Sequence, residues 1–219
     1  MGQEQTDTAQ LVIVLDPTET KLPIDRLEAL LADTPVACLI LSTPAPGAIQ
    51  NTNVQALVSM AQHQGIAVLI SNDENMAKEL SADGVHLSPN EEPITERYAR
   101  SREMLGTDLI VGVEVGTSRH DAMALAEAGA DYVAFGVPSE SLSQERARER
   151  QRELVAWWAE VFQPPCVALD IMDHEQAGEF AELGADFVAR ALPNGLADTE
   201  LKQWLSDAQN ALTPSVHCD

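Results

Sequence analysis

The chain has 219 residues, of which 35 are acidic and 13 are basic, and its formal net charge is −22. This length fits one domain, and so negative a field repels polyanions, which argues against nucleic acid and anionic membranes as partners. Apolar runs far shorter than the roughly 20 residues of a membrane-spanning helix, the lack of an export signal and three cysteines without a metal-binding spacing predict a cytoplasmic protein that does not enter membranes.

In chain order, eight short apolar runs predict β-strands. They lie at 11–16, 37–42, 67–71, 84–88, 109–115, 132–136, 166–170 and 187–191. Between them, apolar residues three and four positions apart predict helices, among them 54–64, 119–128, 151–162, 176–183 and 200–211. Alternating strands and helices are typical of a parallel sheet, so the pattern predicts an α/β fold, a single (β/α)8 TIM barrel over 11–212. The polar ends, 1–10 and 213–219, are predicted to be flexible.

A doubly wound open sheet is the alternative architecture. It usually has five or six strands and, where it binds a dinucleotide, a glycine-rich first turn. Here the first predicted strand ends in Asp16-Pro17-Thr18, which contains no glycine. The barrel is therefore the preferred fold.

Three similar strings support the count of repeating units: SADGVHL at 81–87, AGADYVAFG at 128–136 and LGADFVA at 183–189. An Asp just before a strand can accept backbone N–H groups in a tight turn. Its three examples, Asp83, Asp131 and Asp186, are therefore predicted to be structural at the bottom face of the barrel. The predicted helix N-caps are Asp25, Ser118, Asp173 and Asp198, and the predicted helix-ending glycines are Gly65, Gly129 and Gly184.

Two longer stretches, ISNDENMAKELSADGVHLSPNE at 70–91 and LIVGVEVGTSRHDAMALAEAGADYVAFG at 109–136, resemble thiamine phosphate synthase and its thiazole tautomerase relatives. The resemblance runs from the third predicted strand to the eighth. It implies an enzyme of thiamine biosynthesis that couples hydroxymethylpyrimidine diphosphate to thiazole phosphate with Mg²⁺ and releases pyrophosphate. The partner it implies is a small phosphorylated heterocycle, and the sequence leaves a homo-oligomer open.

The resemblance also implies roles for individual residues. Asn72 and Asp73 stand at the family's Asn-Asp pair after the third strand, which implies a substrate contact for Asn72 and a metal ligand in Asp73. Glu91 falls at the family's second metal-binding Asp, and a Glu there keeps the charge. The alternative is structural, with Asp73 as a helix cap and Glu91 as an exposed acid.

Several positions depart from the family pattern. The chain has Leu169-Asp170-Ile171 in place of the family's glycines on the seventh strand, and Glu114 in place of its Ser on the fifth. The family's Lys after the sixth strand is missing from 137–146, the loop that contains Ser139. From these positions we predict substrate contacts at Ser139, Asp170 and Arg190, and a third metal ligand at Glu114.

The predicted strand ends carry many acids and few cations. Five acids face one arginine: Asp16, Asp73, Glu91, Glu114 and Asp170 against Arg190. Each uncompensated carboxylate near a diphosphate costs on the order of 1 kcal/mol at an effective dielectric near 20. Synthase activity is therefore expected to be impaired unless the arginines of 146–153 fold over the mouth of the barrel. Neither 115–117 nor 137–139 offers the tautomerase's catalytic histidine, so no catalytic residue is identified.

Two alternatives to the synthase remain open. One is a divergent barrel that binds a less anionic small ligand, through a metal held by the same acids other than Asp16. The other is a non-catalytic regulator that contacts its partner through Trp157 or Trp158, one of which is expected at the surface. His86, the one histidine in a predicted strand, is interpreted as a packed and hydrogen-bonded ring.

Overall fold

A computed structural model of the protein describes residues 8–20, 22–42, 52–138 and 143–213, without the side chains of 52 and 53. Its eight strands pair in parallel, each with the next, and the eighth pairs with the first, which closes a barrel. The predicted (β/α)8 fold is therefore confirmed. Of the ends predicted to be flexible, 1–7 and 214–219 lie outside the described residues.

Strands and helices alternate along the chain. The strands are β1 Gln10–Leu15, β2 Val36–Leu41, β3 Ala67–Ser71, β4 Gly84–Leu87, β5 Ile110–Glu114, β6 Tyr132–Phe135, β7 Cys166–Ala168 and β8 Phe187–Ala191. The helices are α1 Ile24–Leu31, α2 Thr52–His63, α3 Glu74–Glu79, α4 Ile94–Leu105, α5 Arg119–Glu127, α6 Gln144–Val161, α7 His174–Glu182 and α8 Asp198–Leu212.

Several strands end earlier than predicted, which changes where their last polar residues lie. β1 ends before Asp16, and β7 ends two residues before Asp170. A residue beyond the last ladder hydrogen bond is no longer held to the extended backbone of the strand, and Asp170 adopts a φ of 57°. Such residues belong to the loops that form the mouth of the barrel.

Two of the four predicted N-caps are confirmed. Ser118 accepts a hydrogen bond from the backbone N–H of Asp121, and Asp173 accepts one from that of Gln176. These bonds satisfy N–H groups that have no partner within the helix. All three predicted helix-ending glycines have positive φ, the conformation that glycine adopts without strain.

The other two predicted N-caps are wrong. Asp25 and Asp198 lie inside the first turns of α1 and α8, whose N-cap positions are occupied by Pro23 and Ala197. Acidic side chains are favourable throughout the first turn because of the helix dipole. The sequence pattern therefore does not distinguish a capping acid from one that follows the cap.

The three aspartates at the bottom face are structural, as predicted. Asp83 accepts the backbone N–H of Val68 at 2.7 Å, and Asp131 accepts that of Val111 at 2.7 Å. Asp186 makes the equivalent bond to Cys166. In each case the donor belongs to the neighbouring, preceding strand, so one carboxylate joins two strands where the chain enters the barrel.

The core has two layers. The barrel interior is filled by side chains such as Val12, Ile40 and Leu69, and a larger apolar layer separates the strands from the helices. Trp158 lies fully buried in that outer layer and stacks on Phe162, so one indole of the tryptophan pair is buried as expected. Within the described residues, no helix is long and apolar enough to span a membrane.

Candidate functional site

A cavity of about 650 Å³ opens at the carboxyl ends of the strands. This is the face on which (β/α)8 enzymes carry their active sites, and the volume suits a small molecule. Its polar lining consists of Ser42, Ser71, His86, Ser88, Glu114, Gln144, Arg148, Asp170 and Arg190. Three of the residues predicted from the sequence, Glu114, Asp170 and Arg190, therefore come together here.

Glu114 and Asp170 form a pair of carboxylates in this cavity. A Cβ built on Gly136, between them, would lie 2.9 Å from Glu114 Oε1 and 3.0 Å from Asp170 Oδ2. The backbone N–H of Val137 donates to Asp170 Oδ2 at 2.8 Å and holds it in place. Burial raises the pKa of the Asp170 carboxyl, and the negative charge of Glu114 adds to that shift, although the Val137 hydrogen bond opposes it.

Arg148 brings a cation from α6 to the same cavity. Its Nη1 donates to the main-chain oxygen of Asp170 at 3.2 Å and to Gln176 Oε1 at 3.3 Å. The guanidinium therefore holds the loop after β7 through its backbone. The sequence left open whether arginines of 146–153 reach the barrel mouth, and Arg148 does so.

His86 is packed and hydrogen-bonded, as the sequence analysis expected. Its ring is 3% exposed, and Nδ1 lies 2.7 Å from the hydroxyl of Tyr132. The other ring nitrogen, Nε2, lies 3.8 Å from Glu114 Oε2. The imidazole thus lies between the Tyr132 hydroxyl in the barrel interior and the Glu114 carboxylate.

Arg190, on β8, is a buried residue that lines the same cavity as Glu114. It is 4% exposed, and its Nη2 donates to the main-chain oxygen of Met172 at 3.0 Å. Its Nε and Nη1 have no hydrogen-bond partner among the described residues. The guanidinium carbon lies 4.6 Å from the ring centroid of Trp204, which compensates part of the charge. Burial lowers the pKa of Arg190.

Asn72 is held by a buried arginine that the sequence analysis missed. Its Oδ1 accepts from the backbone N–H of Ser88 at 2.9 Å and from Arg97 Nη2 at 2.6 Å. Because these bonds occupy the amide oxygen, a substrate contact would have to use the amide nitrogen. The missed signal is helical spacing, since Arg97, Ser101 and Leu105 are four residues apart and all buried.

The three predicted metal ligands are not brought together in one cavity. Asp73 Oδ1 caps α3 by accepting from the N–H of Met76, Glu91 is exposed, and neither lines the cavity that contains Glu114. No group of three or more His, Cys, Asp or Glu side chains in the described part of the chain is arranged to hold a metal ion. Mg²⁺ is commonly held by one or two carboxylates together with substrate phosphates, so the fit for Mg²⁺ depends on a bound diphosphate.

Of the five acids predicted at the strand ends, three do not line the cavity. Only Glu114 and Asp170 line the cavity, whereas Asp16 Oδ1 accepts from the backbone and hydroxyl of Thr18 in its own turn. These local hydrogen bonds direct Asp16 and Asp73 toward their own backbone, so neither lines the cavity. Ser139, a predicted substrate contact, and the residues after β2 at 43–51 lie outside the described residues.

Comparisons with known sequences connect this barrel to one family. A family model described as thiamine monophosphate synthase matches residues 11–191. A thiamine-phosphate synthase from Rhodospirillum centenum is 35% identical over 164 residues, which cover 74% of this chain and 77% of the relative. One from Erythrobacter litoralis is 37% identical over 137 residues, and the match covers 62% of each chain.

Solved structures show the same fold. Thiamine phosphate pyrophosphorylase from Pyrococcus furiosus superposes with a TM-score of 0.73 at 21% identity, over 93% of this chain and 95% of that one. Mycobacterium tuberculosis tryptophan synthase superposes with a TM-score of 0.71 at 14% identity, over 95% and 94%. Barrels named for different activities thus match almost equally well, so the structural likeness concerns the fold.

Proposed function

This chain belongs to the thiamine monophosphate synthase family, and from that premise we propose that it couples hydroxymethylpyrimidine diphosphate to thiazole phosphate at the mouth of its barrel. The observation that carries the proposal is the family match over 11–191, which includes all eight strands whose ends surround the cavity. The proposed setting is thiamine biosynthesis in the cytoplasm, with small molecules as partners.

In the proposed reaction, the bond between the pyrimidine methylene and the diphosphate breaks as the thiazole nitrogen bonds to that methylene, and pyrophosphate leaves. Developing charge on the leaving group requires positively charged or N–H groups around it. Arg190 and Arg148 line the cavity and would supply two of them. Asp73 and Glu91 would hold Mg²⁺ together with the diphosphate, and the ion would neutralise part of the leaving group's charge.

We further propose that this transfer is slower than in the relatives. Glu114 and Asp170 place two carboxylates in the cavity, and neither forms an ion pair with a described Lys or Arg side chain. Each such charge costs on the order of 1 kcal/mol near a diphosphate, or about fivefold in rate. The proposed activity is therefore weak rather than absent.

A turnover assay tests the proposal. The purified protein is incubated with hydroxymethylpyrimidine diphosphate and thiazole phosphate, with and without Mg²⁺, and thiamine phosphate and pyrophosphate are quantified. We expect equal amounts of both products, dependent on Mg²⁺ and reduced at least about tenfold by Asp73→Asn, since Asn keeps the helix cap but loses the charge.

The control is Asp108→Asn at an exposed position, which should leave turnover unchanged. Absence of thiamine phosphate at stoichiometric protein concentration would contradict the proposed function. Product formation that is insensitive to Asp73→Asn would retain the activity but refute the metal-binding role.

A second candidate is a family member that binds a less anionic ligand without synthase turnover. The carboxylate pair favours it, because Glu114 and Asp170 replace the uncharged residues that the family resemblance implies at these positions. In that case the turnover assay is negative, while small cationic ligands bind to the same cavity.

A further inference from the structure

We propose that Glu114 and Asp170 form a binding subsite for a cationic nitrogen group, and that Arg190 binds an anionic group of the same ligand. The ligand class is therefore a small zwitterion, with its positive end at the β5 to β7 side of the cavity and its negative end at β8. This inference goes beyond the proposed function, on which only the choice of probe molecules depends.

The carboxylates of Glu114 and Asp170 converge beside Gly136. Glu114 Oε1 and Asp170 Oδ2 both lie about 3 Å from the position where a Cβ of Gly136 would stand. Both residues also line the cavity, so the two oxygens converge on one part of its wall, beside Gly136. A protonated amine or a positively charged ring nitrogen in the cavity next to these oxygens would interact with both carboxylates.

The surrounding protein compensates this negative charge only in part, because the positive charge of Arg148 acts on Asp170 without a hydrogen bond to its carboxylate. His86 Nε2 is the nearest ionisable nitrogen recorded for Glu114, at 3.8 Å, beyond hydrogen-bonding distance. Arg148 donates to the main-chain oxygen of Asp170. Within the described part of the chain, the Asp170 carboxylate itself accepts a hydrogen bond only from the N–H of Val137. Among the described residues, the pair thus lacks a cationic hydrogen-bond partner.

The backbone conformation of Asp170 determines where its carboxylate lies. Its φ of 57° lies in the left-handed region, which costs a non-glycine residue about 1 kcal/mol or more. In this conformation the carboxylate accepts the N–H of Val137, just after β6, and approaches Glu114 at the end of β5, and it forms no ion pair with Arg190 on β8. Two opposite charges in one cavity therefore each remain available to a ligand.

The buried guanidinium of Arg190 lacks hydrogen-bond acceptors for two of its nitrogen atoms among the described residues. Arg190 is 4% exposed, lines the same cavity, and has two N–H-bearing atoms, Nε and Nη1, without partners among the described residues. A buried donor without an acceptor is unfavourable, and an anion is the acceptor that suits a guanidinium best. Because both atoms are buried, contact with an anion requires a movement of the Arg190 side chain or of its neighbour Trp204.

Calorimetric titration with a matched pair of probes tests the inference. Thiamine phosphate carries a positively charged thiazolium ring and a phosphate, whereas thiazole phosphate has the same phosphate on a neutral ring. We expect the wild-type protein to bind thiamine phosphate at least about tenfold more tightly, which corresponds to about 1.4 kcal/mol.

The variants identify which residues cause that preference. Glu114→Gln and Asp170→Asn should each reduce the ratio of the two affinities at least threefold. Arg190→Gln should weaken both probes by a similar factor and keep the ratio. Glu103→Gln, an exposed acid on α4, is the matched control and should change neither affinity.

Several results would overturn the inference. They are equal affinities for the two probes, no binding of either probe at millimolar concentration, or a preference that survives in both carboxylate variants. Binding of Mg²⁺ alone that is lost in both variants would show a metal site instead of a site for an organic cation.

Turnover measured on the same preparation separates this inference from the proposed function. Turnover without a preference for thiamine phosphate would leave the function standing and refute the zwitterion subsite. A preference that depends on Glu114 and Asp170, without turnover, would support the subsite and refute the synthase.

Discussion

At the scale of single residues, Asp170 is the position where this chain departs most from its family resemblance. The sequence shows that an acid replaces a glycine near the end of the seventh strand. It does not show the left-handed φ of 57° or the approach to Glu114, because both depend on loop bonds formed only in the folded barrel. The predicted presence of Asp170 at the mouth is confirmed by its place in the cavity lining.

Replacing Asp170 by Gly and by Ala tests the backbone strain. Glycine adopts positive φ without a steric penalty, whereas alanine lacks both that freedom and the short polar side chain that helps Asp tolerate it. We expect the Gly variant to have a free energy of unfolding about 1 kcal/mol higher than the Ala variant, measured by urea denaturation. Equal stabilities, or a more stable Ala variant, would contradict a strained position.

The raised pKa of Asp170 predicts a pH dependence of stability. The folded protein keeps the carboxyl proton to higher pH than the unfolded chain does, so unfolding releases that proton in the interval between the two pKa values. As the pH rises from below about 4, the ordinary Asp value, the wild-type protein should lose stability relative to Asp170→Asn. Urea denaturation at a series of pH values measures the difference, and a constant or opposite trend would disprove the shift.

At the scale of secondary-structure elements, Gln151 fixes the long helix α6 to the barrel. The residue is fully buried, and its Nε2 donates at 2.7 Å to the main-chain oxygens of Phe135 and of Leu169, near the ends of β6 and β7. These bonds connect the carboxyl ends of β6 and β7, next to the carboxylate pair. This role cannot be predicted from the sequence, because a glutamine in a polar helix is usually exposed.

The substitution Gln151→Leu removes both hydrogen bonds while keeping the side chain's size. We expect a loss of about 2 kcal/mol or more in the free energy of unfolding, since a buried carbonyl would lose its donor. The control Gln203→Leu lies on the exposed face of α8 and should change stability by less than about 0.5 kcal/mol. Equal effects of the two substitutions would refute a fixing role for Gln151.

The elements that sequence predicts best are those determined by local pattern. Eight apolar runs and the aspartates before three strands are local features, and the structure confirms both. The start of α6 is not predicted, because Ser143, which caps it by accepting the N–H of Arg146, lies eight residues before 151, where the apolar spacing that predicts the helix begins. A helix whose first turns are polar lacks the apolar spacing that would predict where it begins.

At the scale of the whole molecule, the net charge of −22 acts on every state of the protein. Repulsion between like charges destabilises the compact state, and salt screens it. We expect the melting temperature to rise when NaCl increases from about 20 to about 200 mM. A melting temperature that falls over this range would indicate that attractive ion pairs, not repulsion, dominate the surface.

The barrel could be predicted from sequence, but the composition of its mouth could not. Pattern and family resemblance fix which residues follow the strands, whereas hydrogen bonds decide which of them enter the cavity. Asp16 and Asp73 accept bonds from their own loops, while Glu114 and Asp170 face the cavity with Arg190.

If the two carboxylates at the barrel mouth slow diphosphate transfer, the double variant Glu114→Ser/Asp170→Gly should turn over faster than the wild-type protein. These substitutions restore the uncharged residues that the family resemblance implies. Because each carboxylate costs on the order of 1 kcal/mol, we predict that kcat/KM for hydroxymethylpyrimidine diphosphate rises about thirtyfold, with no rise in a Glu103→Ser control. An unchanged or lower kcat/KM in a folded double variant would contradict the claim.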